Sequence, residues 1–197
     1  MTKTWRLFIA IPLPDAVIAA LDEAQRALKK AVPPRTVSWV APRNIHLTLK
    51  FLGEVPLAQC GAIFQALSRV VEQHGMFMLG TAGLGCFPNS HNPRVVWVGL
   101  SGDEDALHLL RDSVECAIAP LGYPTENRSF SPHLTLGRVR RDAVQGDVRR
   151  LGEVVCEVVP LRVVRWSVTE LVLFRSELGP GGTDYTKLFS ATLHSPR

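Results

Sequence analysis

The sequence predicts an α+β fold: two pseudo-symmetric lobes of largely antiparallel sheet, flanked by helices, with a central cleft carrying a doubled His-x-Thr-x motif. Three observations predict it. Strand-like and helical stretches are mixed without the strict strand–helix alternation of a parallel sheet. The same order of elements runs twice along the chain at a nearly constant offset. No low-complexity linker divides the 197 residues. Residues 1–197 are therefore read as one bilobal domain made by internal duplication, the second copy starting near residue 92.

Arg6–Ile11 and Arg94–Gly99 are apolar, strand-like runs that open with arginine. Asp15 and Asp103 follow, each at the start of a helical pattern. Val17, Leu21, Ala24 and Leu28 recur at helical spacing in the first copy, and Leu107, Leu110, Val114 and Ile118 in the second. Then come His46-Leu47-Thr48-Leu49 and His133-Leu134-Thr135-Leu136. The landmarks lie 88, 88 and 87 residues apart (6 to 94, 15 to 103, 46 to 133), a register that chance rarely supplies. Ile63, Leu67 and Val70 mark a helix after Pro56, and a more polar helix is expected around Asp142–Leu151. Strands are expected at Met76–Gly80, Val95–Leu100, Leu161–Val164, Trp166–Phe174 and Lys187–Leu193, with Gly179–Gly182 as a turn or mobile loop.

Composition narrows the function. No apolar run approaches the roughly 18–20 residues that span a bilayer. Leu7–Ile11 is short and is followed by Pro12, Pro14 and Asp15, so it reads as a strand and not as a leader peptide. A cytoplasmic protein without membrane association is expected. Cys60, Cys86, Cys116 and Cys156 are scattered, with no CxxC pair and no zinc-like spacing, which predicts free thiols in a reducing compartment. The net charge is +4, and arginine outnumbers lysine, with Arg138, Arg140, Arg141, Arg149 and Arg150 clustered. Guanidinium groups grip phosphates well, but such a run is equally the mark of a solvated face.

The chemistry sits in the repeated tetrapeptide. Side chains two apart in a strand share a face, so His46 pairs with Thr48 and His133 with Thr135, while the leucines turn to the core. If the lobes face each other, two imidazoles and two hydroxyls meet across a cleft. In-line displacement at phosphorus needs a base beside the attacking oxygen and an acid beside the leaving one. Histidine serves in either role near neutral pH, and the hydroxyls could hold the non-bridging oxygens. A single such tetrapeptide is more often structural than catalytic; two at equivalent places reverse that judgement. A metal centre is the rival reading, but one histidine per strand with a threonine beside it makes a poor ligand set, so no metal and no cofactor are expected. Ser131 lacks the glycine-flanked elbow of a hydrolase nucleophile. His74, His91, His108 and His194 fall in no pattern and read as surface residues.

The doubled motif resembles the 2H phosphoesterase superfamily. Over nearly its whole length the chain is similar to the RNA 2′,3′-cyclic phosphodiesterases, also called 2′-5′ RNA ligases. The likeness rests on Arg6–Ile11, on Trp39 with Asn44–Glu54, on Gly85-Cys86-Phe87-Pro88, on Pro93–Gly99, on Pro132–Arg138, on Ser176-Glu177-Leu178 and on Tyr185. The resemblance implies metal-free hydrolysis of a terminal 2′,3′-cyclic phosphate to a 2′-phosphomonoester. It makes His133 the proton acceptor that activates water and His46 the proton donor to the departing 3′ oxygen. Thr48, Thr135 and Arg138 would bind the phosphate. Phe51 would either stack a base or pack in the core. The reverse reaction, joining RNA through a 2′-5′ linkage, would swap the histidines' roles. The implied partner is RNA with a cyclic phosphate end, such as a tRNA fragment, bound by a monomer. Gly137 stands where the family often has alanine, a change expected to be harmless, and the Gly179–Gly182 loop looks longer and looser than the pattern. Small cyclic nucleotides or 2′-5′ oligonucleotides are alternative substrates. A non-catalytic RNA-binding protein is the reading from another class, but simple phosphate binding has no use for paired histidines.

Overall fold

The computed structural model describes residues 3–157, 162–179 and 182–195. Among the described residues, nine strands form two sheets in which every pairing between strands is antiparallel. The strands are β1 (Thr4–Ile11), β2 (Val37–Trp39), β3 (Leu47–Pro56), β4 (Phe77–Phe87), β5 (Val95–Gly102), β6 (Leu134–Val139), β7 (Arg165–Val168), β8 (Glu170–Gly179) and β9 (Gly182–Thr192). The helices are α1 (Asp15–Ala31), α2 (Cys60–Val71), α3 (Glu104–Ile118) and α4 (Gln145–Glu157). The first sheet has the order β3-β1-β8-β9 and the second β2-β6-β5-β4-β7. The two sheets with their helices are the two lobes of an α+β fold.

The lobes are not the two halves of the sequence. Each sheet is built around one first strand and its motif strand, β1 with β3 and β5 with β6. Beside β1, however, lie β8 and β9 from the second half, and beside β5 lies β4 from the first. Because the halves exchange strands, cutting the chain between them would leave both sheets incomplete. That exchange explains why no linker is visible.

The helices form where the periodicity expects them. Val17, Leu21, Ala24 and Leu28 of α1, Ile63, Leu67 and Val70 of α2, and Leu107, Leu110, Val114 and Ile118 of α3 are all buried. Burying one such aliphatic side chain stabilises the fold by roughly 1.5–3 kcal/mol. Gln25 on α1 is fully buried and donates from Nε2 to the carbonyls of Val40 (2.7 Å) and Leu136 (2.8 Å), tying that helix to the second sheet beside β6. Helix α4 starts three residues later than expected and runs on to Glu157.

Several strand expectations change. The Met76–Gly80 strand continues as β4 to Phe87. Its Gly85 has no side chain because the Trp97 indole of β5 lies on it, where an added Cβ would come within 2.3 Å of the ring. Arg162–Val164 belongs to no strand, although Thr81 fastens it on both sides, donating to the Arg162 carbonyl and accepting from Val164 N–H; Leu161 lies outside the described residues. Trp166–Phe174 is two strands. β7 pairs with β4 at the edge of the second sheet, and after Thr169 the chain crosses to the first as β8. An apolar run of alternating period carries no mark of such a change of sheet. β8 and β9 pair down to Gly179 opposite Gly182; Pro180 and Gly181, on which the expectation of a loose loop falls, lie outside the described residues.

Candidate active site

The site begins with an irregularity that occurs twice. Along β1 and β3, Ala10 lies opposite Thr48 and Ile9 opposite Lys50, so Leu49 has no partner. Along β5 and β6, Trp97 lies opposite Thr135 and Val96 opposite Gly137, so Leu136 has none. The two β-bulges fall at equivalent places, 49 and 136, and each shifts the alternation of its strand by one residue. Before the bulge, Thr48 and Thr135 are half-buried between buried leucines. After it, Lys50 and Gly137 are buried, whereas Phe51 and Arg138 face outward. Plain alternation would have put Phe51 and Arg138 on the leucine side. Phe51 is 68% exposed and is not a core residue.

The histidines sit immediately before the strands, not within them. Each is held in the same way. His46 Nδ1 lies 2.8 Å from the carbonyl of Asn44, and His133 Nδ1 lies 2.7 Å from that of Ser131. A carbonyl only accepts, so both rings carry their proton on Nδ1 when neutral, which leaves Nε2 free to take or give a proton. Asn44 is itself fixed by donating from Nδ2 to the Thr183 carbonyl of β9 at 2.6 Å. Ser131 thus contributes its backbone oxygen to the site.

His46, Thr48, His133, Thr135 and Arg138 line one cleft of about 1280 Å³ between the sheets. Their surroundings differ. The His46 ring stacks on Phe8 at 4.6 Å between centroids and meets Tyr185 edge-on at 5.1 Å. This enclosure pushes its pKa below the ordinary imidazole value, because burial disfavours the cation; the hydrogen bond to Asn44 offsets part of the effect. His133 meets Phe87 edge-on at 4.9 Å and has Trp97 at 6.5 Å. Burial also raises the Tyr185 hydroxyl above its usual value, with Arg138 and Arg6 pulling it partly back. Two other members of the arginine cluster are occupied elsewhere: Arg140 pairs with Asp142, and Arg150 with Glu153 and Glu157.

Sequence reasoning missed Arg6 and Phe8 as lining residues, and named Tyr185 only as part of the family likeness. Arg6 and Phe8 share parity on β1 with Ala10, the partner of Thr48, and that signal was available. The histidines outside the motifs are not uniformly on the surface. His74 is half-buried with Nε2 2.9 Å from Ser113 Oγ, and His108 packs half-buried against Phe130. Among the described residues no three His, Cys, Asp or Glu side chains gather where they could hold a metal ion, no helix is long and apolar enough to cross a membrane, and the four cysteines are free.

Two antiparallel sheets meeting at a cleft, each bringing a histidine–threonine pair to it, define a 2H phosphoesterase. Comparison with known proteins agrees. The chain matches the LigT like phosphoesterase model twice, over residues 11–97 and 98–185, and belongs to that family. It is 33% identical over 183 residues to the RNA 2′,3′-cyclic phosphodiesterase of Methanothermobacter thermautotrophicus, covering 93% of this chain and 96% of that protein. The Geobacillus stearothermophilus enzyme of the same name is 33% identical over 89% of this chain, which spans only 54% of that longer relative. Among solved structures, TT0787 of Thermus thermophilus superposes with a TM-score of 0.76 at 30% identity, covering 98% and 100% of the two chains. Escherichia coli LigT complexed with 3′-AMP superposes with a TM-score of 0.75 at 30% identity, covering 97% and 99%.

Proposed function

We infer that this protein hydrolyses the 2′,3′-cyclic phosphate at the end of an RNA to a 2′-phosphomonoester. The observation that carries the reading is the pair of imidazoles, each locked through Nδ1 to the carbonyl two residues upstream and each beside a threonine of the same cleft. The names of the relatives supply the substrate class. His133 Nε2 takes the proton of an attacking water. The P–O3′ bond breaks, and His46 returns a proton to the departing 3′ oxygen, leaving the phosphate on O2′. Thr48, Thr135 and Arg138 hold the non-bridging oxygens and offset the charge that builds on them. His46 is a strong donor because burial lowers its pKa, and the anionic substrate favours its protonated form in the complex. No step calls for a metal. With the 5′-hydroxyl of a second RNA in the place of water, the same displacement makes a 2′-5′ linkage with the histidines in the same roles, not the swapped ones expected from the sequence; only its reversal, which cleaves that linkage, exchanges them. The working unit is one bilobal domain, residues 1–197, arising by duplication with its second copy from near residue 92, acting as a cytoplasmic monomer on RNA ends such as tRNA fragments.

The test is incubation with an RNA ending in a 2′,3′-cyclic phosphate, followed by identification of the product. A 2′-phosphate formed equally well in EDTA is expected. A 3′-phosphate, or binding without turnover, overturns the reading. Rates on a cyclic-phosphate mononucleotide and on a 2′-5′ dinucleotide, measured alongside, rank the alternative substrates.

A further inference from the structure

The twelve residues 122–133, which deliver His133 to the cleft, contain neither helix nor strand. A segment of this kind is ordered only where side chains hold its backbone. Here three charged groups do so. Lys50 of β3 and Glu115 of α3 are both buried, and Lys50 Nζ donates to Glu115 Oε2 at 2.5 Å and to the carbonyl of Pro124 at 2.8 Å. The same carboxylate oxygen accepts from the N–H of Glu126 at 3.2 Å. Arg111, one turn before Glu115 on α3, pairs with Glu115 Oε1 at 3.2 Å, donates to the Glu126 carbonyl at 3.4 Å, and lies over the Phe130 ring at 5.5 Å. His108 of α3 also meets the Phe130 ring edge-on, at 5.4 Å.

We propose that Lys50 and Glu115 are positioning residues for the reaction: they tether the 122–133 segment and so fix His133 relative to His46, a role that rests on the function inferred above. The bulge at Leu49 makes the tether available. Strand β3 offers Thr48 to the cleft and then, one step out of alternation, buries Lys50 against Glu115 of α3, both of them in the wall of the same cleft. A single strand thereby carries one half-site and anchors the approach to the other. The equivalent place in the second copy, 87 residues on from 50 to 137, is Gly137, which has no side chain to offer. The segment before His46 is tied differently, through Asn44 to β9. The device therefore belongs to the His133 side alone. A buried ion pair adds little net stability compared with apolar residues of similar size, while it does fix one arrangement against others. That is the property a catalytic approach segment needs.

The experiment compares the unmutated protein with Lys50→Met, Lys50→Arg and the double variant Lys50→Met/Glu115→Leu, which replaces the pair with apolar side chains. Three quantities are measured: thermal stability, amide hydrogen exchange of residues 122–133, and kcat with KM on a cyclic-phosphate substrate. Lys50→Met is expected to speed exchange in the segment while β1 and β8 stay protected, and to lower kcat about 100-fold, the scale of a 1 Å misplacement, with KM little changed. Lys50→Arg is expected to recover part of both. The double variant is expected to be folded and still slow. Full kcat in a stable double variant, or unchanged exchange in the segment of Lys50→Met, overturns the proposal. Absence of turnover by the unmutated protein is a failure of the function reading instead, and the exchange measurement still reports on the tether.

Discussion

The two half-sites are built on one backbone plan and loaded differently. In both, an imidazole is fixed through Nδ1 two residues downstream of its carbonyl partner, a threonine follows on the strand, and a bulge reverses the alternation after the next leucine. What the bulge presents is not the same. On the His46 side it turns Phe51 to the cleft and buries Lys50; on the His133 side it turns Arg138 to the cleft and leaves Gly137 under β2. His46 is enclosed by Phe8 and Tyr185, whereas the nearest aromatic neighbour of His133 is the edge of Phe87. The repeated framework brings two histidine–threonine pairs to one cleft. Its divergent side chains then allow an acid and a base to differ, since two identical imidazoles in identical surroundings would share one pKa.

The largest expected effect comes from removing either imidazole. His46→Ala and His133→Ala should each lower turnover about 10²–10⁴-fold, the usual contribution of a general acid or base. Rates on the cyclic-phosphate substrate check it. Full activity in either variant would leave only one side of the pair at work and end the comparison. Next come the outward residues after the bulges. Arg138→Ala should cost about 10²-fold in kcat on every substrate, including the smallest, as removal of one donor to a developing charge does. Phe51→Ala should spare the mononucleotide and raise KM for an oligonucleotide about tenfold, the value of one stacked base. If both variants behave alike, the two positions do not divide phosphate from base.

The buried residues after the bulges give a smaller, purely structural test. A Cβ at Gly137 would come within 2.5 Å of Val37 Cγ1 and 3.0 Å of Trp39, side chains of the adjoining strand β2. An alanine at this place, expected above to be harmless, would therefore crowd β2 in this chain. Gly137→Ala should cost about 1–3 kcal/mol of stability, as overpacking does, measured by denaturant unfolding. Val37→Ala in the same chain should return part of the loss by opening the space.

Much of this arrangement is legible in the amino acids, for local reasons. The helices of the two copies declare themselves because one apolar face at 3.6-residue spacing is a property of a contiguous segment. The His-x-Thr pairs do so because they recur at a fixed offset. The bulges are not legible. Leu49 and Leu136 look like ordinary inward residues, and strand alternation carried past them sends Phe51 and Arg138 to the wrong face. The crossing from β7 to β8 depends on pairings far apart in the chain, such as Met78 with Ser167 and Phe8 with Phe174, which no window of sequence contains. Lys50 and Glu115 are hidden in the same way: each looks like a surface charge until the fold buries both.

The finest test of the half-sites is the titration of His46, and it separates acid from base. With both histidines present, a bell-shaped profile does not say which ring does what, because reversed protonation yields the same shape. A variant that keeps only one imidazole has one limb left. In His133→Ala, the remaining kcat/KM should fall as pH rises through the pKa of His46, since a proton donor works only while protonated. Burial places that midpoint below the ordinary imidazole value of about 6.5. Adding Tyr185→Ala, which strips one wall from the ring, should move the midpoint upward by giving water back to the cation. Residual activity that climbs with pH in His133→Ala would make His46 the base and exchange the roles of two half-sites whose backbones are the same.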